Sequence, residues 1–77
     1  MARTPKQLFT AIIEKEDDAF VALCPELDIA SQGGSIEQAV TNLQEAVDLF
    51  LETADPREIQ QRHRGQIFVT QFSAADG

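Results

Sequence analysis

Apolar residues along this chain fall first in short runs and then in a stripe spaced three to four residues apart. Residues 7–15 (QLFTAIIEK) are rich in β-branched and aromatic types and predict a strand. Lys15-Glu16-Asp17-Asp18 is a polar break suited to a tight turn. Residues 19–24 (AFVALC) predict a second strand, paired with the first as a hairpin. Pro25 cannot donate to a β-ladder and ends it. Residues 27–32 (LDIASQ) predict a short third strand, after which Gly33-Gly34 is expected to turn the chain through positive φ. Ser35, with Gln38 three residues later, forms a capping box. Ile36, Ala39, Val40, Leu43, Ala46, Val47, Phe50 and Leu51 then draw one apolar stripe along an amphipathic helix of about 17–19 residues. Asp55-Pro56, with Glu58 completing a second box, predicts a short second helix. Arg62, His63 and Arg64 fall in its last turn and Gly65 terminates it. Residues 66–72 (QIFVTQF) predict a fourth strand, and Ser73 to Gly77 a frayed tail.

Strands before a helix and one after it specify an α+β domain spanning residues 1–77. Its expected form is an antiparallel sheet of βββαβ order with one main helix on one face. A sheet with one solvated face alternates apolar and polar residues. Here the first strand has Leu8 and Ile12 on one side and Phe9, Ala11 and Ile13 on the other. The last has Ile67 and Val69 opposite Phe68 and Phe72. One helix roofs one face, so Phe9, Ile13, Phe68 and Phe72 are expected to form a surface for a second copy or another partner. Burying four or five such side chains is worth about 1.5–3 kcal/mol each, against about 3–5 kcal/mol for a whole domain of this size. A dimer or tetramer is the expected assembly.

Charge adds a second feature. The 77 residues carry 13 acids and 6 Lys+Arg, a net charge of −7. Between Glu14 and Asp55 there are eleven acids and only Lys15 as a base, a local net charge of −10. Such a chain suits a cationic partner and opposes sequence-independent nucleic-acid binding, which needs bases to displace counterions. No apolar run is long enough to span a membrane, and no apolar segment follows Arg3 and Lys6 to make a secretory signal. One cysteine, Cys24, excludes an internal disulfide and any multi-thiolate zinc centre, and makes a reducing, cytoplasmic location the expectation. Its acidic surroundings favour a packed, unreactive thiol. His63 lies between two arginines with no nucleophile near in sequence, so it reads as a surface or capping residue. The spacing of Asp17, Asp18, Glu26 and Asp28 matches no metal loop. Gly33-Gly34 lacks a full phosphate-binding fingerprint, and helix-dipole complementation accounts for Arg57, Arg62 and Arg64. No enzyme activity, metal or cofactor is expected.

The stretch Phe9 to Glu52 resembles the HicB-like antitoxin family. The matching features, in order, are the first strand, the acidic turn, Phe20, Cys24-Pro25-Glu26-Leu27 and Ser31-Gln32-Gly33. The helix follows with Ile36-Glu37-Gln38-Ala39 and Asn42-Leu43-Gln44-Glu45-Ala46. Gly34 departs from the family, which more often has a polar residue there, as does Asp28-Ile29-Ala30, where many members carry Pro-Gly-Cys. The resemblance implies a βββαβ fold of partial ribonuclease-H-like form, without nuclease residues. It also implies an antitoxin that covers the active surface of HicA, a small basic mRNA-cleaving toxin. On this basis Asp17, Asp18, Pro25, Glu26 and Asp28 are the expected partner contacts, and Gly33, Gly34 and Ser35 the structural turn and cap. The family's C-terminal DNA-binding domain has no counterpart among these residues, so direct DNA binding is not expected.

Overall fold

The computed structural model describes residues 7–75. Its elements are β1 (Ile12–Glu16), β2 (Ala19–Cys24), β3 (Ile29–Gly33), α1 (Ile36–Thr53) and α2 (Pro56–Arg62). The strands form an antiparallel sheet in the order β1-β2-β3. The fold is α+β, with βββα order. Arg3 and Lys6 lie outside the described residues, as do the last two residues of the expected tail.

The register assigns the two faces. Ile13 pairs with Ala22 and Lys15 with Phe20, while Ala22 pairs with Ser31 and Cys24 with Ile29. These positions lie on the face beneath α1, because the core consists of Ala22, Cys24 and Leu27 against Ala39, Leu43 and Val47 of the helix. Phe9, Ile13, Phe20, Ile29, Phe50 and Leu51 pack around its edge. The expectation for Phe9 and Ile13 is therefore corrected: they belong to the helix-side core. The uncovered face instead carries Ile12 opposite Leu23, with Val21 and Ala30 beside them, and the first three are only half-exposed.

Local chemistry explains the helix starts. The Ser35 hydroxyl accepts from the Gln38 N–H at 3.1 Å, and the Gln38 side chain accepts from the Gly34 N–H at 2.6 Å, so two otherwise unpaired donors are satisfied reciprocally. The Asp55 carboxylate caps α2 by accepting from the Arg57 N–H at 2.8 Å, one residue before the expected Glu58 position. Arg62 lies over the Phe50 ring at 5.3 Å and ties α2 to α1.

Gly33 and Gly34 have negative φ, contrary to expectation; among the described glycines only Gly65 lies at positive φ, +77°. Space is the reason for Gly33. A Cβ there would sit 2.6 Å from the Ala39 nitrogen and 2.9 Å from the Gln38 carbonyl carbon, so β3 meets α1 backbone to backbone. The left-handed positions belong to Asp17 (φ 53°) in the β1–β2 turn and Asp28 (φ 57°) at the end of the β2–β3 loop. Aspartate tolerates that conformation better than most residues.

Two strand expectations are also corrected at their starts. β1 begins at Ile12, because the preceding residues turn toward the β2–β3 loop. β3 begins at Ile29, because Leu27 and Asp28 belong to that loop. The expected fourth strand, 66–72, does not form. These residues carry neither helix nor strand, and Phe68, Val69 and Phe72 are exposed by 85%, 60% and 88%. The molecule is correspondingly long, 55 × 27 × 24 Å, whereas an 18-residue helix is only about 27 Å long.

Candidate interaction surface

The two acidic loops singled out in the sequence lie at opposite ends of β2. Asp17 and Asp18 cap the end where Glu16 pairs with Ala19, and Pro25–Asp28 joins the end where Cys24 pairs with Ile29. Six residues of strand separate them, about 17 Å. They do not form one patch.

Their chemistry differs as well. Asp17 and Asp18 are exposed, with Glu14 and Glu16 beside them on β1. Lys15, between those two, lies 6.0 Å from the Phe20 ring on the helix side. In the other loop Leu27 is fully buried and Glu26 is 7% exposed. The Glu26 carboxylate accepts the Thr10 hydroxyl at 2.6 Å, the Thr10 N–H at 3.0 Å and the Cys24 thiol at 3.5 Å. Its backbone oxygen accepts the Arg64 N–H at 3.0 Å. Burial alone would push this carboxyl's pKa up. The Thr10 hydroxyl and amide outweigh burial and hold it below its ordinary value, so the buried group is a carboxylate. Glu26 is thus a structural tie and is not available to a partner, which corrects its expected role. Pro25 is half-buried; Asp28 is exposed.

This tie gathers three separate parts of the chain: the approach to β1, the β2–β3 loop and the exit from α2. His63 completes it. Its ring meets Phe9 edge-on at 5.9 Å, its Nδ1 accepts the Gly65 N–H at 3.1 Å, and Gln7 reaches its Nε2 at 2.7 Å. With both ring nitrogens so engaged, His63 organises the exit of the chain. Cys24 is fully buried, and desolvation pushes its thiol pKa up, so it is an unreactive packing residue. Beside the tie, Gln7, Leu8, Glu26, His63 and residues 65–68 line an open hollow of about 460 Å³. Among the described residues, no cluster of three or more His, Cys, Asp or Glu is arranged to hold a metal ion. No helix among them is long and apolar enough to cross a membrane.

Sequence pattern missed the Thr10–Glu26–Arg64 tie. One signal was present: Thr10 is a polar residue interrupting the apolar run from Leu8 to Ile13, a place where a hydroxyl needs a partner.

Two surfaces remain accessible. One is acidic: of the eleven acids from Glu14 to Asp55, all except Glu26 are exposed, including Glu37, Glu45, Asp48 and Glu52 on α1. The other is apolar: Phe68, Val69 and Phe72 of the C-terminal arm, together with Leu8, which is 91% exposed at its root. No family model matches the chain and no solved structure does. Similar sequences are found in two bacteria. A UPF0150 protein of Synechocystis sp. is 42% identical over 57 residues, covering 69% of this chain and 72% of that protein. A UPF0150 protein of Helicobacter pylori is 38% identical over 53 residues, covering 68% and 74%. Identity at this level across more than two thirds of the relatives' length places the chain in the UPF0150 family.

Proposed function

We propose that this protein is a non-enzymatic binding module of the HicB antitoxin kind, which acts in the cytoplasm and neutralises a small basic HicA-like mRNA-cleaving toxin by covering its active surface. The observation that carries this reading is the exposed acidic surface, built on a βββα frame whose sequence from Phe9 to Glu52 resembles that family. Acids clustered at the Asp17–Asp18 end of the sheet and along α1 raise the rate at which a basic protein arrives, and repel the RNA that competes for it. Glu26 takes no part in the contact, because its carboxylate is already committed to Thr10.

The test is inhibition of a HicA-type ribonuclease by the purified full chain. The expected result is stoichiometric inhibition, with an association rate that falls steeply as salt rises. Asp17→Asn/Asp18→Asn slows association by about tenfold or more and leaves the fold intact. Failure to bind or inhibit at low salt overturns the reading.

A second reading is a stand-alone homo-oligomeric structural or regulatory protein. It is favoured by one specific observation, the exposure of Phe68 and Phe72.

A further inference from the structure

We infer that two copies of this chain exchange C-terminal arms, residues 66–72 of each adding as a fourth strand to the free β1 edge of the other. This rests on the oligomer reading and specifies its geometry.

Four observations lead here. First, the arm has the composition of a strand apolar on both sides, with Ile67 and Val69 alternating with Phe68 and Phe72, yet it has no strand partner among the described residues. Second, the two sheet edges are unequal. α1 packs over β3 and β2, and Asn42 of α1 donates to the Gln32 carbonyl of β3 at 2.8 Å, so the helix guards the β3 edge. Among the described residues β1 has no such cover from a helix, and an unguarded edge is a template for another strand. Third, the start of β1 offers apolar side chains on both faces, Ile13 beside the core and Ile12 opposite Leu23, before the charged Glu14, Lys15 and Glu16, and these two positions match an arm apolar on both sides. Fourth, charge selects the occupant. No residue from Gly65 to Ala75 is charged, whereas from Glu14 to Asp55 the net charge is −10. The arm is thus a part of this acidic chain that a second copy can accept without repulsion.

The area is sufficient. Two phenylalanines bury about 150–250 Å² each. Counted on two reciprocal arms, with Val69 and strand pairing added, the contact reaches the roughly 1,200–2,000 Å² of stable interfaces. The exchange is isologous and closes as a two-fold dimer.

The test uses the full chain. Its solution mass is measured by light scattering for the wild type and for Phe68→Ser/Phe72→Ser, whose altered side chains are exposed in the single copy and leave its circular dichroism unchanged. The wild type is expected at twice 8.5 kDa and the variant at 8.5 kDa. Isotope-filtered NOE spectra of mixed 13C-labelled and unlabelled chains then locate the contact. Intermolecular cross-peaks from the Phe68 and Phe72 rings to the Ile12 and Ile13 methyls are expected. A monomeric wild type overturns both the exchange and the oligomer reading. A dimer that survives the double substitution, or whose intermolecular peaks connect other residues, overturns the exchange alone.

Discussion

Two parts of this molecule have similar apolar content and opposite fates. In the half formed by β2, β3 and α1, Ala22, Cys24, Leu27, Ala39, Leu43 and Val47 are buried within one chain. In the arm, Phe68, Val69 and Phe72 stand in solvent. Hydrophobicity does not separate them; cover does. An 18-residue helix lies over two strands and leaves the third at the rim, and among the described residues the arm beyond Ile67 packs under neither. A chain of 77 residues has little core to spare, and apolar surface left over from the fold is free for recognition.

The sharpest way to break this contrast is to open the closed half. Leu27→Ala removes a fully buried side chain from the β2–β3 loop and is expected to cost about 2–5 kcal/mol in urea unfolding. A cost below 1 kcal/mol would mean that the loop is not part of the core. Gly33→Ala comes next. Its new methyl meets the α1 backbone at 2.6 Å, and about 1–3 kcal/mol of destabilisation is expected in thermal melts. An unchanged melting temperature would show that the strand and helix can separate freely.

Thr10→Ala tests the tie between the two halves. It leaves the buried Glu26 carboxylate without its hydroxyl donor, at an expected cost of about 1–3 kcal/mol. The pH dependence follows from the same group. The folded pKa of Glu26 lies below the unfolded one, so its contribution is complete above the unfolded value and is lost as pH falls through the folded value. Stability is expected to decline on acidification below the ordinary glutamate range, and Glu26→Gln to flatten that decline. A wild-type profile identical to that of Glu26→Gln would remove the carboxylate from the account. Phe68→Ser/Phe72→Ser sits at the small end for the isolated copy. Its monomer stability is expected to stay within about 0.5 kcal/mol of wild type, because neither ring packs on its own core; a larger loss would show that they do.

Elements with a local signature were legible in the sequence. β2 spans Ala19–Cys24 as expected from composition and from Pro25. α1 follows its apolar stripe from the Ser35 cap, and α2 starts after Asp55. What was not legible depends on distance in space. The polar Thr10 signals that a partner is needed but not that it is Glu26, 16 residues away, so the apolar run alone predicts too early a start for β1. Gly33 resembled a turn glycine, although its requirement comes from α1 passing above it. Glu26 resembled a surface acid, because sequence shows charge but not burial. The 66–72 segment has the composition of a strand and lacks only a strand neighbour among the described residues.

Amide hydrogen exchange over 66–72 in the 77-residue chain, measured from dilute to concentrated solution, reports on the exchange of arms itself. Protection that rises with protein concentration in the arm and in Ile12–Glu16 together is the predicted result. Arm amides that exchange at unprotected rates at every concentration would contradict it.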